Sequence, residues 1–181
     1  MRRSRLGLVV LVLAAVLLGA SVLVYLASPD EAPDTVPAAA VPEDAEPARV
    51  VSHVDGDTVR LTGSGLLEGE TSVRLLEIDT PEHPRDGEPA ECFADEASAA
   101  LRDRLPVGAR VWVRPDHDLY DPYGRMLLYL WDEDGEFVNL ELVRQGFARA
   151  VLFEPNDMYI VRMREAESEA RAGHRGMWAA C

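Results

Sequence analysis

The chain has 181 residues and carries 32 acids against 18 arginines, with no lysine, for a formal net charge of −14 at pH 7. That balance excludes broad electrostatic capture of nucleic acid, which needs a basic face. It leaves room for a local site where a bound cation and a few arginines reverse the sign.

The chain opens on Met1-Arg2-Arg3-Ser4-Arg5, a basic N-terminus at residues 1–5. An uncharged apolar run of 22 residues follows, Leu6 to Ala27, long enough to span a bilayer, which takes about 20. The leading arginines favour a cytoplasmic N-terminus with the rest of the chain sent across. A cleaved signal peptide has a shorter apolar region, about 7–15 residues, and Tyr25 and Leu26 crowd the place where a small-x-small cleavage site would stand. The reading is a single-pass transmembrane signal anchor at residues 6–27 in the cell membrane, with the remainder extracytoplasmic, or secreted if the segment is cleaved. Residues 28–47 are rich in Pro, Ala, Asp and Glu and almost free of large apolar side chains, so they read as a linker that cannot bury enough surface to order itself.

Residues 48–181 are long enough for one domain with its own core. Within them stand 15 arginines and 26 acids, a net of −11. Val50-Val51 and Val59-Arg60-Leu61 flank Asp55-Gly56-Asp57-Thr58, which predicts a hairpin. Thr62 to Gly69 is a Gly-containing loop. The stretch from Arg74 to Glu82 (RLLEIDTPE) then predicts an apolar strand ending at Thr80-Pro81, since proline cannot donate to a ladder. Its alternation puts Arg74, Leu76 and Ile78 on one face and Val73, Leu75 and Glu77 on the other. His83 to Ala90 is a polar loop. Asp95 to Leu105 predicts a helix with Ala94, Ala97, Leu101 and Leu105 on one stripe, stopped by Pro106. Arg110–Pro115 and Arg125–Trp131 predict strands, the second buried. Asn139 is placed to cap a short helix that Gly146 ends. Asn156 or Asp157 is placed to cap a last helix with the stripe Tyr159, Met163, Ala166 and Ala170.

About five short strands with scattered helices fit an α+β fold built on a small closed β-barrel better than a sandwich or a βαβ sheet. The chemistry collects in its turns. Asp79 and Glu82 stand at the mouth of one strand, Asp57 in an upstream turn, and Arg125 after Tyr123-Gly124. Carboxylates can hold a hard cation, and the planar fork of arginine grips phosphate oxygens without losing its charge. Taken singly, Asp55 and Asp57 beside Gly56 are ordinary turn formers, and each arginine is an ordinary ion-pair residue.

Taken in order, VDGDTV (54–59), RLLEIDTPE (74–82), DPYGR (121–125) and LVRQG (142–146) resemble the staphylococcal nuclease (thermonuclease) family. The similarity runs from about Arg49 to the C-terminus. It implies a five-stranded OB-fold barrel with about three α-helices and a calcium-dependent nuclease that cleaves DNA and RNA to 3′-phosphate ends. It places Ca2+ on Asp57, Asp79 and the backbone carbonyl of Thr80. It assigns Glu82 to the attacking water, and Arg74 and Arg125 to the phosphate. Where well-known members carry two tyrosines near the pocket, this chain has Val151 and Phe153, neither with a hydroxyl, and the segment after Glu82 lacks their lysines.

The competing reading is a non-catalytic module on the same barrel, binding nucleic acid or a protein at the cell surface. It calls for loss of one of the five catalytic and ligand side chains, and none is lost. His53, His83, His117 and His174 show no ligand spacing with cysteines, so zinc is not expected. Trp112, Tyr129, Trp131 and Trp178 are read as packing residues, and Asp132-Glu133-Asp134 as a solvated hairpin loop. Two cysteines in an exported chain predict a Cys92–Cys181 disulfide pinning the tail to the first helix, worth about 4–5 kcal/mol as an upper value in the chain-entropy model. The expected state is a monomer.

Overall fold

Asp55-Gly56-Asp57 reverses the chain between β1 (Glu46–His53) and β2 (Thr58–Gly63), as the hairpin signal predicts. The structure is a computed structural model, described here for residues 40–83 and 89–181. The expected membrane anchor at 6–27, residues 28–39 of the expected linker at 28–47 and most of the polar loop after His83 lie outside those residues. The end of that linker is ordered instead, with Asp44 paired to Arg114 and Glu46 and Pro47 in β1 opposite Val113 and Trp112. Among the described residues no helix is long and apolar enough to cross a membrane.

β3 (Gly69–Leu75) pairs antiparallel with β2 and parallel with β6 (Met126–Trp131). β6 pairs antiparallel with β5 (Arg110–Tyr120), and β5 returns to β1 with Ala48 opposite Val111, closing the barrel. Alternate residues point inward, and Val50, Leu61, Val73, Leu75, Val111, Val113 and Leu128 are all buried. β6 is buried at every position, because α2 (Val138–Arg144) packs against it from outside. α1 (Ala94–Arg104) and α3 (Ile160–Ala172) complete the three expected helices, and a four-residue α4 (Met177–Ala180) follows. The barrel with helices is therefore the expected α+β architecture.

The long strand expected from Arg74 through Ile78 is not continuous. β3 ends at Leu75, Glu77 takes φ 60°, and Ile78–Asp79 forms a separate strand β4 that pairs with β7 (Arg149–Ala150). Tertiary bonds hold this break. Leu76 N–H donates to Leu128 O at 3.0 Å and Val151 N–H to Glu77 O at 3.0 Å. The buried Glu77 carboxylate accepts from the Tyr129 hydroxyl at 2.8 Å and Tyr159 N–H at 3.1 Å.

Neither expected asparagine cap forms. Asn139 lies inside α2, fully buried, where its amide accepts from Leu130 N–H at 3.0 Å and donates to Leu76 O at 2.9 Å. It staples α2 to β6 and to the break after β3. Asn156 accepts from Asp118 N–H at 2.7 Å and donates to Asp118 O at 3.2 Å, while Tyr159 flanks α3 with no side-chain cap. Gly146 does end α2, at φ 79°. A Cβ there would meet Arg175 O at 2.2 Å, so only glycine admits the C-terminal segment this closely. The predicted disulfide is present: Cys92 and Cys181 are bonded with their Cα atoms 6.0 Å apart.

Candidate active site

The site grows from the close approach of two turns. A Cβ on Gly56 would lie 2.7 Å from Thr80 Oγ1, so the bare glycine lets the β1–β2 turn sit directly on Thr80. Asp55 Oδ1 accepts from Asp57 N–H at 3.1 Å and shapes that turn. Asp57 is fully buried beneath it. Its Oδ2 accepts from Thr80 N–H and Thr80 Oγ1, both at 2.9 Å, and faces Arg74 Nη1 at 3.0 Å. Its Oδ1 accepts from Thr58 Oγ1 at 3.2 Å.

Arg74 reaches Asp57 because Thr58 and Arg74 are cross-strand partners at the end of β2–β3. Its Nη1 also donates to Leu75 O at 3.2 Å, and Nη2 pairs with Asp79 Oδ1 at 2.9 Å. One guanidinium therefore joins Asp57, sealed in the core, to Asp79, whose side chain is 43% exposed. The Phe153 ring packs on the same guanidinium, 5.4 Å from its carbon to the ring centroid. Phe153 has no hydroxyl, so it meets the guanidinium with its aromatic ring alone.

Burial pushes the Asp57 carboxyl up to about 7, with neighbouring Asp55 adding to the rise and Arg74 and Thr80 opposing it. Glu82 is also raised, by desolvation first and then by Asp55, against the pull of Arg74. Carboxylate oxygens of Asp55, Asp57 and Glu82 also lie within 4.8 Å of one another, which adds like-charge repulsion to the effect of burial. Oxygen ligands of one calcium ion at 2.3–2.6 Å sit at most about 5 Å apart. A hard donor set at that spacing, with a buried carboxyl whose ionisation needs a partner, fits a divalent cation.

The expected ligands are thus arranged unevenly. Asp57 belongs to the acid cluster, Asp79 is held by Arg74, and buried Thr80 bonds to Asp57 through its N–H and hydroxyl. Asp55 joins the cluster although its sequence reads as a turn former. The Asp-Gly-Asp repeat was the available signal, since both acids flank the one residue that must lack a side chain.

Arg125 arrives from the β5–β6 turn. Asp121 Oδ1 accepts from Tyr123 N–H and Arg125 N–H, each at 2.9 Å, and Asp121 Oδ2 accepts from Arg125 Nε at 2.6 Å. Burial works to raise the Asp121 carboxyl, but these bonds to Arg125 win and hold it below the usual range. Arg125 Nη1 donates to Thr58 Oγ1 at 3.3 Å, which puts the second guanidinium beside the residue that follows Asp57. Tyr123 is 85% exposed, with Arg125 over its ring at 5.7 Å. Sequence reasoning gave Asp121 no role beyond its motif, although an acid four residues before an arginine across a Gly turn is a pairing signal.

No histidine enters the acid cluster among the described residues. His83 Nε2 lies 2.9 Å from Asp95 Oδ1, His53 Nε2 lies 2.8 Å from Leu105 O, and His117 faces Asp116 and Asp157. Tyr129 and Trp131 are core residues, and Asp132 organises its hairpin loop by accepting from Asp134 and Glu136 N–H groups while pairing with Arg104.

A family described as "Staphylococcal nuclease homologue" matches residues 72–180. The chain is 34% identical over 125 residues to "Thermonuclease" of Staphylococcus intermedius, covering 69% of this chain and 71% of that protein. It is 32% identical over 126 residues to "Endonuclease YncB" of Bacillus subtilis (strain 168), covering 69% and 58%. It is 33% identical over 126 residues to "SPbeta prophage-derived endonuclease YokF" of the same organism, covering 69% and 41%.

Proposed function

This chain belongs to the staphylococcal nuclease family and is a nuclease, and we propose that it is a calcium-dependent enzyme that hydrolyses DNA, RNA or both to 3′-phosphate ends outside the cytoplasm. The observation that carries the proposal is the meeting of Asp55, Asp57 and Glu82 oxygens within 4.8 Å, with Arg74 at 3.0 Å from Asp57.

Asp57, Asp79 and the Thr80 carbonyl are the proposed calcium ligands; Asp57 belongs to the acid cluster, which Asp55 and Glu82 complete around it. Bound there, the ion supplies positive charge against the phosphate and polarises water. Glu82, solvent-accessible and with its proton affinity raised, orients a water and takes its proton as the water oxygen bonds to phosphorus. The P–O5′ bond breaks, the 5′ oxygen takes a proton from solvent, and the phosphate stays on the 3′ side. Arg125 and the remaining N–H groups of Arg74 bind the phosphate oxygens as their charge grows. Asp121 holds Arg125 at its work.

Extracytoplasmic action is supported by the apolar run at 6–27 behind three arginines and by a disulfide, which persists in oxidising compartments. The test is incubation of the protein with single-stranded and duplex DNA and RNA in calcium, magnesium or chelator, with end-group analysis of the products. Calcium-dependent cleavage leaving 3′-phosphates is expected. A folded protein that binds but never cleaves would return the chain to the reading of a non-catalytic module.

A further inference from the structure

Glu82 lies beyond the last residue of β4, after Pro81, which has no N–H to give, so no sheet ladder fixes its backbone. What fixes it is Glu91. Glu82 N–H donates to Glu91 Oε2 at 3.1 Å, and Glu91 N–H donates back to Glu82 O at 3.0 Å. This reciprocal pair closes the base of the connection between β4 and α1. Glu91 itself is exposed and borders a cavity of about 370 Å³ lined also by Cys92, Arg149, Met177, Trp178 and Cys181. On the helix side its carbonyl accepts from Ala94 N–H at 3.1 Å, and its side chain has no core packing.

The disulfide forms part of the wall of that cavity. Cys92 follows Glu91 directly and is bonded to Cys181. Cys181 N–H donates to Met177 O at 3.0 Å, and buried Met177 donates to Gly146 O at 2.9 Å. A continuous line of bonds therefore runs from the end of α2, through the C-terminal turn and the disulfide, to Glu91 and on to Glu82.

We propose that Glu91 is a positioning residue for Glu82 and that the Cys92–Cys181 bridge acts on catalysis by holding Glu91 in place. The inference rests on the assignment of Glu82 to the attacking water. A dithiol reductant gives two electrons and two protons to the bridge, closes to its own disulfide and leaves Cys92 and Cys181 as thiols. On this account reduction releases Glu91, and Glu82 loses its alignment with Asp55 and Asp57.

The test is steady-state cleavage by the full chain and by Glu91→Ala, Glu91→Gln and Glu82→Gln, each oxidised and after dithiol treatment, well below the melting temperature. Small misplacements of a catalytic group cost up to about 10²-fold. Glu91→Ala should lower kcat roughly tenfold or more, with KM unchanged within about twofold. Glu91→Gln keeps an acceptor for Glu82 N–H and should recover most of that loss. Reduction should lower wild-type kcat and add little to Glu91→Ala, since both act on one link. Equal fold-losses on reduction in wild type and Glu91→Ala would overturn the proposed route through Glu91. Full kcat in Glu91→Ala beside an inactive Glu82→Gln would overturn the inference and leave the nuclease mechanism standing. A fully active Glu82→Gln would remove the mechanism beneath it. Glu91→Ala leaves the bridge intact, so it decides the positioning role of Glu91 by itself, and loss of activity on reduction only through global unfolding, seen by circular dichroism, would overturn the role given to the bridge.

Discussion

Arg74 and Asp57 form an ion pair of 3.0 Å in which the side chains are 5% and 0% exposed. The pair is one of the few places where this acidic domain seals a charge in its core, and removing one partner strands the other. Replacing Arg74 with Met should cost about 3–5 kcal/mol, the usual penalty for an uncompensated buried charge. The loss should be largest at pH 8, where Asp57 is ionised, and smaller at pH 5, where it holds its proton. Urea denaturation at both pH values checks this.

Asp57 binds a proton more tightly in the folded chain than in the unfolded one, at about 7 against an ordinary 3.8. Below 3.8 both states are protonated and its contribution to stability is complete. As pH rises towards and through 7 the unfolded state ionises first, so that contribution is lost. Calcium needs the ionised carboxylate and should bind more tightly over the same range. The rise in melting temperature produced by saturating calcium should therefore be larger at pH 8 than at pH 5.5. Asp57→Asn should shrink the difference.

Asp121 grips both the backbone and the side chain of Arg125. Asp121→Asn keeps acceptors for the turn N–H groups but loses the charge opposite Arg125. It should fold normally and lower kcat/KM roughly tenfold to a hundredfold, the range for a lost charged hydrogen bond. Asp121→Ala should lose at least as much activity and some stability as well.

Asn139 separates two structural accounts of one residue. As a helix cap its replacement by Ala would cost about 1 kcal/mol. As a buried staple that leaves Leu130 N–H and Leu76 O unpaired, it should cost about 2–4 kcal/mol. Thermal or chemical denaturation of Asn139→Ala distinguishes them, and the structure predicts the larger value.

Those two bonds also show where sequence reading stops. Local signals carried far: Asp-Gly-Asp marked the hairpin, Gly146 marked a helix end, and Cys92 and Cys181 marked their bridge. The barrel followed from strand count and alternation. Asn139 and Asn156 sit where caps belong, yet their amides bond across the fold, and an amide's local and distant partners look alike in sequence. Glu77 takes a left-handed backbone with no glycine to announce it, because Tyr129, Tyr159 and Val151 hold it there. For the site, the sequence offered a candidate set of five side chains and a carbonyl. That Arg74 would engage Asp57 and Asp79 together, and that Asp55 would join the cluster, required the pairing of Thr58 with Arg74 and the contact of Gly56 with Thr80.

The most direct test of the central claim is the single-turnover rate of Glu82→Gln and Arg125→Ala on DNA in calcium, alongside the calcium-induced shift in melting temperature of each. A lost general base costs about 10²–10⁴-fold, and Glu82→Gln should lose that much rate while still being stabilised by calcium. Arg125→Ala should lose rate without losing the calcium shift. If Glu82→Gln cleaves DNA at the wild-type rate, the carboxylates gathered around Asp57 do not perform the hydrolysis, and the proposed mechanism is wrong.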